Sequence, residues 1–434
     1  MRILSSTIAA IGFLTATIGS ASAIDIQQVT SPGGIKAWLV SDDTVPLVAV
    51  DFAFAGAGSA QDPEDKPGRA NLLSSMLDEG AADYDSVAFQ TALRDSAVRL
   101  SFDPSRDHFY GDMQVISANL ERGFDLLSLA LNEPRFEQEA MGRMQAAIVS
   151  SLRRELTDPD AIAGRLWSET AFPHHPYGRP ANGTPESIAA MTRDDLVAAR
   201  GTFGKDNLMV SVVGDIDADT LGPLLDRAFG ALPDHAALTP VPDVEAATGQ
   251  TANEQIATPQ TSIRFGGPGI ARKDPDFIPA YVMNHILGGG AFSSWLFEEV
   301  REKRGLAYSV YSYIAPYDHT AVFGGGTATR NDRAMETVDV ILQQLQRMAN
   351  EGPTEAELED AKAYLTGSYA LRFGSSNSTA RQLLAIQLED LGIDYIDGRN
   401  ALIEAVTLDD VRRAASRILG EGKPTVAVVG APAG

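Results

Sequence analysis

Hydrophobic positions switch along the chain between a two-residue period and a three-to-four-residue period, which predicts strands and amphipathic helices. Residues 35–40 and 47–54 have the composition of strands, and 98–116 predicts a strand pair that turns near Pro104. The helical period predicts helices over 67–78, 86–96, 120–131 and 136–155, the last continuing towards residue 166 after Asp158-Pro159. The first half therefore combines strands with long helices rather than a regular strand–helix alternation.

The same order of elements recurs in the second half. Thr192 opens a helix whose following strand ends at Gly214, and Thr407 opens a helix whose following strand ends at Gly430. Each threonine stands three residues before an aspartate, as in a capping box, and the two intervals are 22 and 23 residues. The amphipathic stretch 334–348 mirrors a long helix of the first half. The sequence thus predicts an internal duplication of about 210 residues.

The predicted fold class is α+β, with two duplicated domains of about 200 residues, each a mainly antiparallel sheet with helices packed on one face. The N-terminal domain is expected over 24–233 and the C-terminal domain over 259–434. Residues 234–258 are rich in Pro, Ala, Thr, Asp and Gln and have no apolar period, so we interpret them as the interdomain linker.

Residues 1–23 have the organisation of a cleavable secretory signal. Arg2 precedes an apolar run over 8–18, and Ala21-Ser22-Ala23 is a typical cleavage site. The apolar run is too short to span a membrane. We expect an exported, periplasmic protein without membrane insertion whose mature chain begins at Ile24.

Charge and composition exclude several classes of function. A net charge of −23 disfavours binding to nucleic acid, because both partners are anionic, and disfavours anionic membrane surfaces. The absence of cysteine excludes disulfides, thiol catalysis and cysteine metal sites. Nucleophile-elbow and phosphate-loop motifs are also missing from the sequence. Two triple-glycine runs, 288–290 and 324–326, are interpreted as a helix–helix turn and a flexible strand end facing a cavity.

The stretch 292–311 carries the candidate chemistry. Its helical pattern stops at Gly305, and a strand pattern begins directly after it. Arg301 therefore lies at a helix end and Tyr308 at a strand start, one tight turn apart. A guanidinium and a phenol on rigid elements suit a site that holds a peptide carbonyl and the oxyanion it becomes. The alternative is a surface arginine beside a half-buried tyrosine.

The run Leu-Phe-Glu-Glu-Val-Arg-Glu-Lys-Arg-Gly-Leu-Ala-Tyr-Ser-Val, residues 296–310, resembles the second-domain signature of the insulinase (pitrilysin) family of zinc metallopeptidases. The chain is most similar to the small, two-subunit bacterial type, which resembles the mitochondrial processing peptidase. In that family an Arg and a Tyr seven positions apart bind substrate and stabilise the transition state opposite the zinc. The resemblance implies these roles for Arg301 and Tyr308, and it implies the family's α+β fold.

Active members of the family carry His-x-x-Glu-His on the first helix, preceded by Gly-x-Ala and followed by Met. Here Gly68-Arg69-Ala70 and Met76 flank a degenerate motif, with Asn71 and Ser75 in place of the two His and Ser74 in place of the Glu. The family's third ligand, a Glu, aligns with Ser151, and a slip of four positions would bring in Glu155. None of the six histidines pairs with another at a spacing of four. The resemblance therefore implies that this chain holds no zinc.

Three hypotheses follow. In the first, the chain is the non-catalytic subunit of a periplasmic heterodimeric zinc metalloendopeptidase, and it supplies Arg301 and Tyr308 in trans to peptides bound at the zinc of a His-x-x-Glu-His partner. In the second, it is a structural or peptide-binding pseudopeptidase with no role in hydrolysis. In the third, it is an autonomous hydrolase with unfamiliar chemistry. A scaffold has no need to keep Arg301 and Tyr308 together, so their geometry discriminates between the first two.

Overall fold

The computed structural model describes residues 24–420 and 422–431, so the predicted signal segment 1–23 lies outside the described residues. The strands of the first half are β1 Gln27–Thr30, β2 Lys36–Ser41, β3 Leu47–Phe54, β4 Val98–Pro104, β5 Phe109–Ile116 and β6 Leu208–Gly214. Its helices are α1 Arg69–Ser74, α2 Ser86–Asp95, α3 Leu120–Asn132, α4 Gln138–Glu155, α5 Pro159–Ala171, α6 Pro185–Ala190, α7 Arg193–Arg200 and α8 Ala218–Phe229.

The second half repeats this arrangement. Its strands are β7 Thr251–Gln255, β8 Gln260–Pro268, β9 Ala307–Tyr317, β10 Thr320–Arg330 and β11 Thr425–Gly430. Its helices are α9 Phe277–Asn284, α10 Ala334–Glu351, α11 Glu355–Gly367, α12 Ser376–Leu388, α13 Tyr395–Glu404 and α14 Leu408–Leu419, with π-helical turns at His285–Gly289 and Phe297–Glu302.

The two sheets have the same topology. The first has the strand order β1-β2-β6-β3-β5-β4 and the second β7-β11-β8-β10-β9. In each sheet one pair is parallel, β2 with β6 and β7 with β11, and the other pairs are antiparallel. Strands β2 to β6 of the first sheet thus correspond, in chain order, to strands β7 to β11 of the second sheet. The predicted α+β duplication is confirmed, and β1 is an additional edge strand of the first sheet.

Strand β7 lies inside the range that we interpreted as linker, 234–258. Its sequence, Thr-Ala-Asn-Glu-Gln, has no apolar alternation because β7 is an edge strand whose side chains are exposed or only partly buried. The parallel pairing of β7 with β11 places it as the counterpart of β2. The domain limits themselves remain predictions.

Each sheet is covered on its second face by a helix from the other half. Helix α12 packs on β3 and β6, and helix α5 packs on β8 and β11. The Ser211 hydroxyl donates to the Ala380 carbonyl at 2.7 Å, and the Trp167 indole donates to the Thr425 carbonyl at 3.2 Å. This reciprocal exchange of one helix joins the two halves, and the sequence did not reveal it.

Two local predictions were wrong. The predicted helix from 136 towards 166 is two helices, because Asp158 caps α5 by accepting from the Asp160 amide at 2.9 Å and Pro159 occupies its first turn. The glycines 324–326 lie in the middle of β10 rather than at a flexible end. A Cβ on Gly325 would stand 2.3 Å from the Phe265 ring, so close packing explains the glycine. Within residues 24–420 and 422–431, no helix combines the length and hydropathy needed to cross a bilayer.

Candidate functional site

The turn between Arg301 and Tyr308 is fixed by backbone hydrogen bonds. The Gly305 amide donates to the Arg301 carbonyl and the Leu306 amide to the Val300 carbonyl, both at 2.9 Å. Gly305 has a φ of +59°, a left-handed conformation that favours glycine, and it reverses the chain into β9. The helix-to-strand transition predicted at Gly305 is confirmed, although the last turn before it is π-helical.

Buried Glu299 binds the two neighbouring cations and leaves Arg301 outside that cluster. Its carboxylate accepts from the Lys303 ammonium at 2.7 Å and from the Arg304 guanidinium. Although burial opposes ionisation, these two hydrogen bonds hold the pKa of Glu299 below its usual value. Lys303 and Arg304 are thereby held against the helical turn, while Arg301 projects from its other side towards Tyr308.

Arg301 and Tyr308 form one cluster with two phenylalanines. The Arg301 Cζ lies 4.6 Å from the Tyr308 ring centroid, 4.7 Å from that of Phe297 and 6.0 Å from that of Phe292. Tyr308 is 81% exposed rather than half-buried. Among the described residues, the carboxylate within salt-bridge range of Arg301 is that of Glu302, at 3.7 Å. A guanidinium stacked on a ring is pre-oriented yet retains N–H donors for a ligand.

Arg301 and Tyr308 line a shallow groove of about 440 Å³, which we call the Arg–Tyr groove; its other lining residues are Gln260, Glu302, Gly305, Leu306, Ala307, Ala328, Thr329 and Arg330. The sequence analysis did not single out Phe292 or Phe297. Phe292 opens the stretch 292–311, and its place in the sequence did not indicate what it contacts. What it contacts was decided by folding.

The degenerate motif on α1 is engaged in local hydrogen bonds. The hydroxyls of Ser74 and Ser75 both donate to the Asn71 carbonyl, at 2.8 and 3.1 Å. The Asn71 side-chain amide donates to the Asn182 backbone carbonyl at 3.1 Å. Serine hydroxyls that bond to the preceding turn compete with helix continuation, and α1 ends at Ser74 rather than at residue 78 as predicted.

These side chains do not fit a zinc ion. Structural and catalytic zinc in proteins is held by imidazole, thiolate and carboxylate ligands, whereas Asn71, Ser74, Ser75 and Ser151 offer neutral amides and hydroxyls. In the part of the chain that the structure describes, no group of three His, Asp or Glu side chains is placed to bind a metal. Glu155, the alternative third ligand, lines a cavity between the two halves. We therefore assign no metal chemistry to this chain's own residues.

A larger cavity of about 810 Å³ lies between the two halves. Helix α5 forms one wall, and strand β9 contributes Tyr311, Tyr313 and Tyr317. Asn182, which accepts from Asn71, also lines this interdomain cavity, so the start of α1 adjoins it. Among the described residues, the cavity and the Arg–Tyr groove share no lining residue. The structure thus brings Arg301 and Tyr308 together, and the three motif positions of α1 together, but on separate surfaces.

Both halves of the chain match models of known protein families. Residues 39–185 match the model of the insulinase family, peptidase family M16, and residues 190–365 match the model of the peptidase M16 inactive domain. This chain belongs to the insulinase family. The resemblance drawn from 296–310 and from the context of residues 71–75 is confirmed.

Relatives of this insulinase-family chain carry different names. A Streptomyces coelicolor protein named as an uncharacterized zinc protease is 28% identical, over 93% of this chain and 89% of its own length. The Helicobacter pylori protein named non-peptidase homolog YmxG is also 28% identical, over 81% of both chains. A crystal structure of a peptidase M16 inactive domain from Pseudomonas fluorescens matches with a TM-score of 0.88 and 26% identity, over 94% of this chain and 98% of that one.

Proposed function

We propose that this chain is the zinc-less subunit of a periplasmic, two-subunit metalloendopeptidase, which it completes by supplying Arg301 and Tyr308 to peptides bound at a partner. The partner is an insulinase-family homologue that carries His-x-x-Glu-His and the zinc. The proposal is supported chiefly by the contrast between the exposed Arg301–Tyr308 pair and the hydrogen-bonded, neutral side chains of the degenerate motif. The names of the Helicobacter and Pseudomonas relatives support a non-catalytic member of the family.

Each residue of the pair has a distinct role in this proposal. The Tyr308 phenol donates a hydrogen bond to the oxyanion that forms when a peptide carbonyl is attacked. The Arg301 guanidinium donates to a nearby carbonyl of the same peptide, and its stacking between Tyr308 and Phe297 keeps it in place before the substrate arrives. Donors that are pre-oriented in this way need little reorganisation at the transition state.

The position of the pair on the molecule fits a role in trans. Arg301 and Tyr308 line an open groove on the edge strand of the second sheet, away from the chain's own degenerate motif. An exposed fraction of 81% for Tyr308 allows a partner surface to approach it directly. A phenol buried inside this chain would instead need a hydrogen-bond partner within the chain itself.

Reconstitution with a partner tests the proposal. The purified chain is assayed for zinc and for peptide cleavage, alone and after co-expression with a His-x-x-Glu-His homologue from the same genome. We expect no zinc and no cleavage for the chain alone, and cleavage by the complex. Tyr308→Phe should lower turnover by a factor of about 10² to 10³, the usual effect of removing an oxyanion donor.

Tyr364→Phe is the matched control, because Tyr364 is also an exposed tyrosine of the second half but lies on α11. Turnover by this variant should equal that of the unmodified complex. Cleavage that is indifferent to Tyr308, or failure to form a stable complex with any such homologue, would contradict the proposal and favour the structural or peptide-binding pseudopeptidase. Export is checked separately, by sequencing the N-terminus of periplasmic protein, which should begin at Ile24.

A further inference from the structure

The interdomain cavity has a charge pattern that differs from that of the whole chain. The chain has a net charge of −23, yet the ionisable side chains lining the cavity are four arginines and three carboxylates: Arg106, Arg165, Arg179, Arg264, Glu155, Asp160 and Glu169. The lining therefore carries a formal charge of +1, whereas the chain as a whole is strongly anionic. The cavity volume of about 810 Å³ is within the range of small-molecule sites.

Some of these charges neutralise one another. The Arg264 guanidinium lies 2.7 Å from the Asp160 carboxylate, and Arg165 lies 3.9 Å from Glu169. Arg106 and Arg179 differ, since in the described part of the chain their hydrogen bonds go to neutral oxygens: the Ser168 hydroxyl at 3.2 Å and the Asp62 carbonyl at 3.0 Å. Each guanidinium is therefore positioned by the protein but keeps donors available for an anion.

Both of these arginines lie near the C-terminal end of helix α5. Arg106 contacts Ser168 directly, and Arg179 follows Gly178, whose backbone packs against the Phe172 carbonyl. The remaining carboxylate without a cation partner in the described residues is Glu155, which precedes the other end of α5. The cavity therefore presents cations at one end and an anion at the other.

Aromatic side chains also line the cavity. Trp167 of α5 lines the cavity together with Tyr311, Tyr313 and Tyr317 of β9. The rings of Tyr311 and Tyr313 are stacked, with centroids 6.4 Å apart, and both side chains are more than one third exposed. Surfaces of this kind bind apolar and aromatic groups while their hydroxyls provide polar contacts.

We propose that the interdomain cavity binds a short zwitterionic ligand, represented by a free tripeptide, with its terminal carboxylate at Arg106 and Arg179 and its ammonium group at Glu155. Three extended residues span about 10 Å, so a tripeptide can place its two termini at separate charged groups while its middle residue stays within the cavity. The middle side chain lies against Trp167 and the tyrosines of β9. This site is distinct from the Arg–Tyr groove and does not depend on a partner subunit or on the proposed peptidase function.

Calorimetric titration of the purified chain tests the proposal with Ala-Phe-Ala and two matched peptides, one amidated at the C-terminus and one acetylated at the N-terminus. The free tripeptide should bind, and amidation should raise Kd about tenfold or more, because it removes a charge-assisted hydrogen bond. Acetylation should raise Kd by a smaller factor, since a single carboxylate faces the ammonium group. Free alanine and phenylalanine, which cannot reach both ends, should bind much more weakly than the tripeptide.

Two variants then test whether Arg106 and Arg179 bind the peptide carboxylate. Arg106→Gln and Arg179→Gln should each raise Kd for the free peptide about tenfold, and the double variant should bind free and amidated peptide alike. Arg412→Gln is the control for net charge, because Arg412 lies on α14 outside the cavity, and its Kd should be unchanged. Equal binding of free and amidated peptide by the unmodified chain, or no binding at millimolar peptide, would overturn the proposal without reference to any variant's folding.

Discussion

The two halves of this chain share a strand order but differ in how they use the residues beside it. In the first half, the positions of the degenerate motif bond to nearby backbone, as the hydroxyls of Ser74 and Ser75 do to the Asn71 carbonyl. In the second half, Arg301 and Tyr308 stack on each other and face outwards. Side chains whose donors are engaged locally stabilise a turn, whereas side chains held by stacking remain available to a ligand.

The halves also differ in how they treat buried carboxylates. In the first half, burial and the neighbouring Asp112 raise the pKa of Asp51 to about 7, although Arg381 opposes the shift. In the second half, hydrogen bonds from Arg413 and Arg417 outweigh burial and lower the pKa of Asp276. Folding therefore destabilises the ionised form of Asp51 and stabilises that of Asp276. Mutations of the two residues should have opposite effects on stability.

The largest expected effect concerns the exchanged helices. Leu383→Ala on α12 and Ile162→Ala on α5 each remove a buried side chain that packs on the sheet of the other half. Each should lower the free energy of unfolding by about 2–5 kcal/mol. Hydrogen exchange should show lost protection in β6 and β11 together. The exposed Leu402→Ala is the control, and a loss confined to one half would show that the halves unfold independently.

The Arg–Tyr groove should respond to mutation where the degenerate motif does not. In a reconstituted complex, Arg301→Ala should lower kcat/KM by about 10- to 100-fold, because a charged hydrogen bond to substrate is worth about 1.5–3 kcal/mol. Asn71→Ala, in the degenerate motif of the first half, should leave kcat/KM unchanged. A comparable loss for both variants would mean that the contrast between the halves is not functional.

The pH dependence of stability should separate Asp51 from Asp276. An acid whose pKa rises on folding to about 7 stabilises the folded state below its unfolded pKa, and that contribution is lost as the pH rises towards 7. At about pH 8, Asp51→Asn should therefore be more stable than the unmodified chain, by an amount on the order of 2 kcal/mol, with no gain at about pH 4.

Asp276→Asn provides the opposite case for the same thermal-unfolding measurement. Its lowered pKa means that its stabilisation is present at neutral pH and is lost as the pH falls through the folded value. This variant should therefore be less stable than the unmodified chain at about pH 8, and the difference should shrink under acid conditions. Parallel behaviour of the two variants would contradict the assignment of the buried charges.

The smallest expected effect concerns two matching helix caps. The Thr407 hydroxyl accepts from the Asp410 amide at 3.2 Å, whereas the Asp195 amide donates instead to the Thr192 carbonyl, also at 3.2 Å. Thr407→Ala should cost about 1 kcal/mol in denaturant unfolding, and Thr192→Ala about half of that. Serine at either position should restore most of the loss. Equal costs would show that the two caps are equivalent.

Much of the fold could be predicted because its signals are local. The strand 47–54 was indicated by an apolar run of eight residues broken only by Asp51, and the helix-to-strand turn at Gly305 required only a glycine between two periods. The proximity of Arg301 and Tyr308 followed from that turn. Strand β7 was missed for the same reason, since an exposed edge strand of five polar residues carries no apolar period.

The cavity between the halves could not be predicted in this way. Arg106 comes from the β4–β5 turn, Arg179 from the loop after α5, and Tyr313 from the second half, and no local pattern connects them. The early end of α1 was also missed, because the hydroxyls of Ser74 and Ser75 decide it through contacts that propensity does not describe.

By itself the sequence determined the duplicated α+β fold, the family, the replaced zinc motif and the turn that pairs Arg301 with Tyr308, because each depends on residues a few positions apart. The tertiary structure decided which helix covers which sheet and which charges meet in the cavity. Those outcomes depend on the burial of apolar surface between segments more than a hundred residues apart, as in the contact of Trp167 with Thr425.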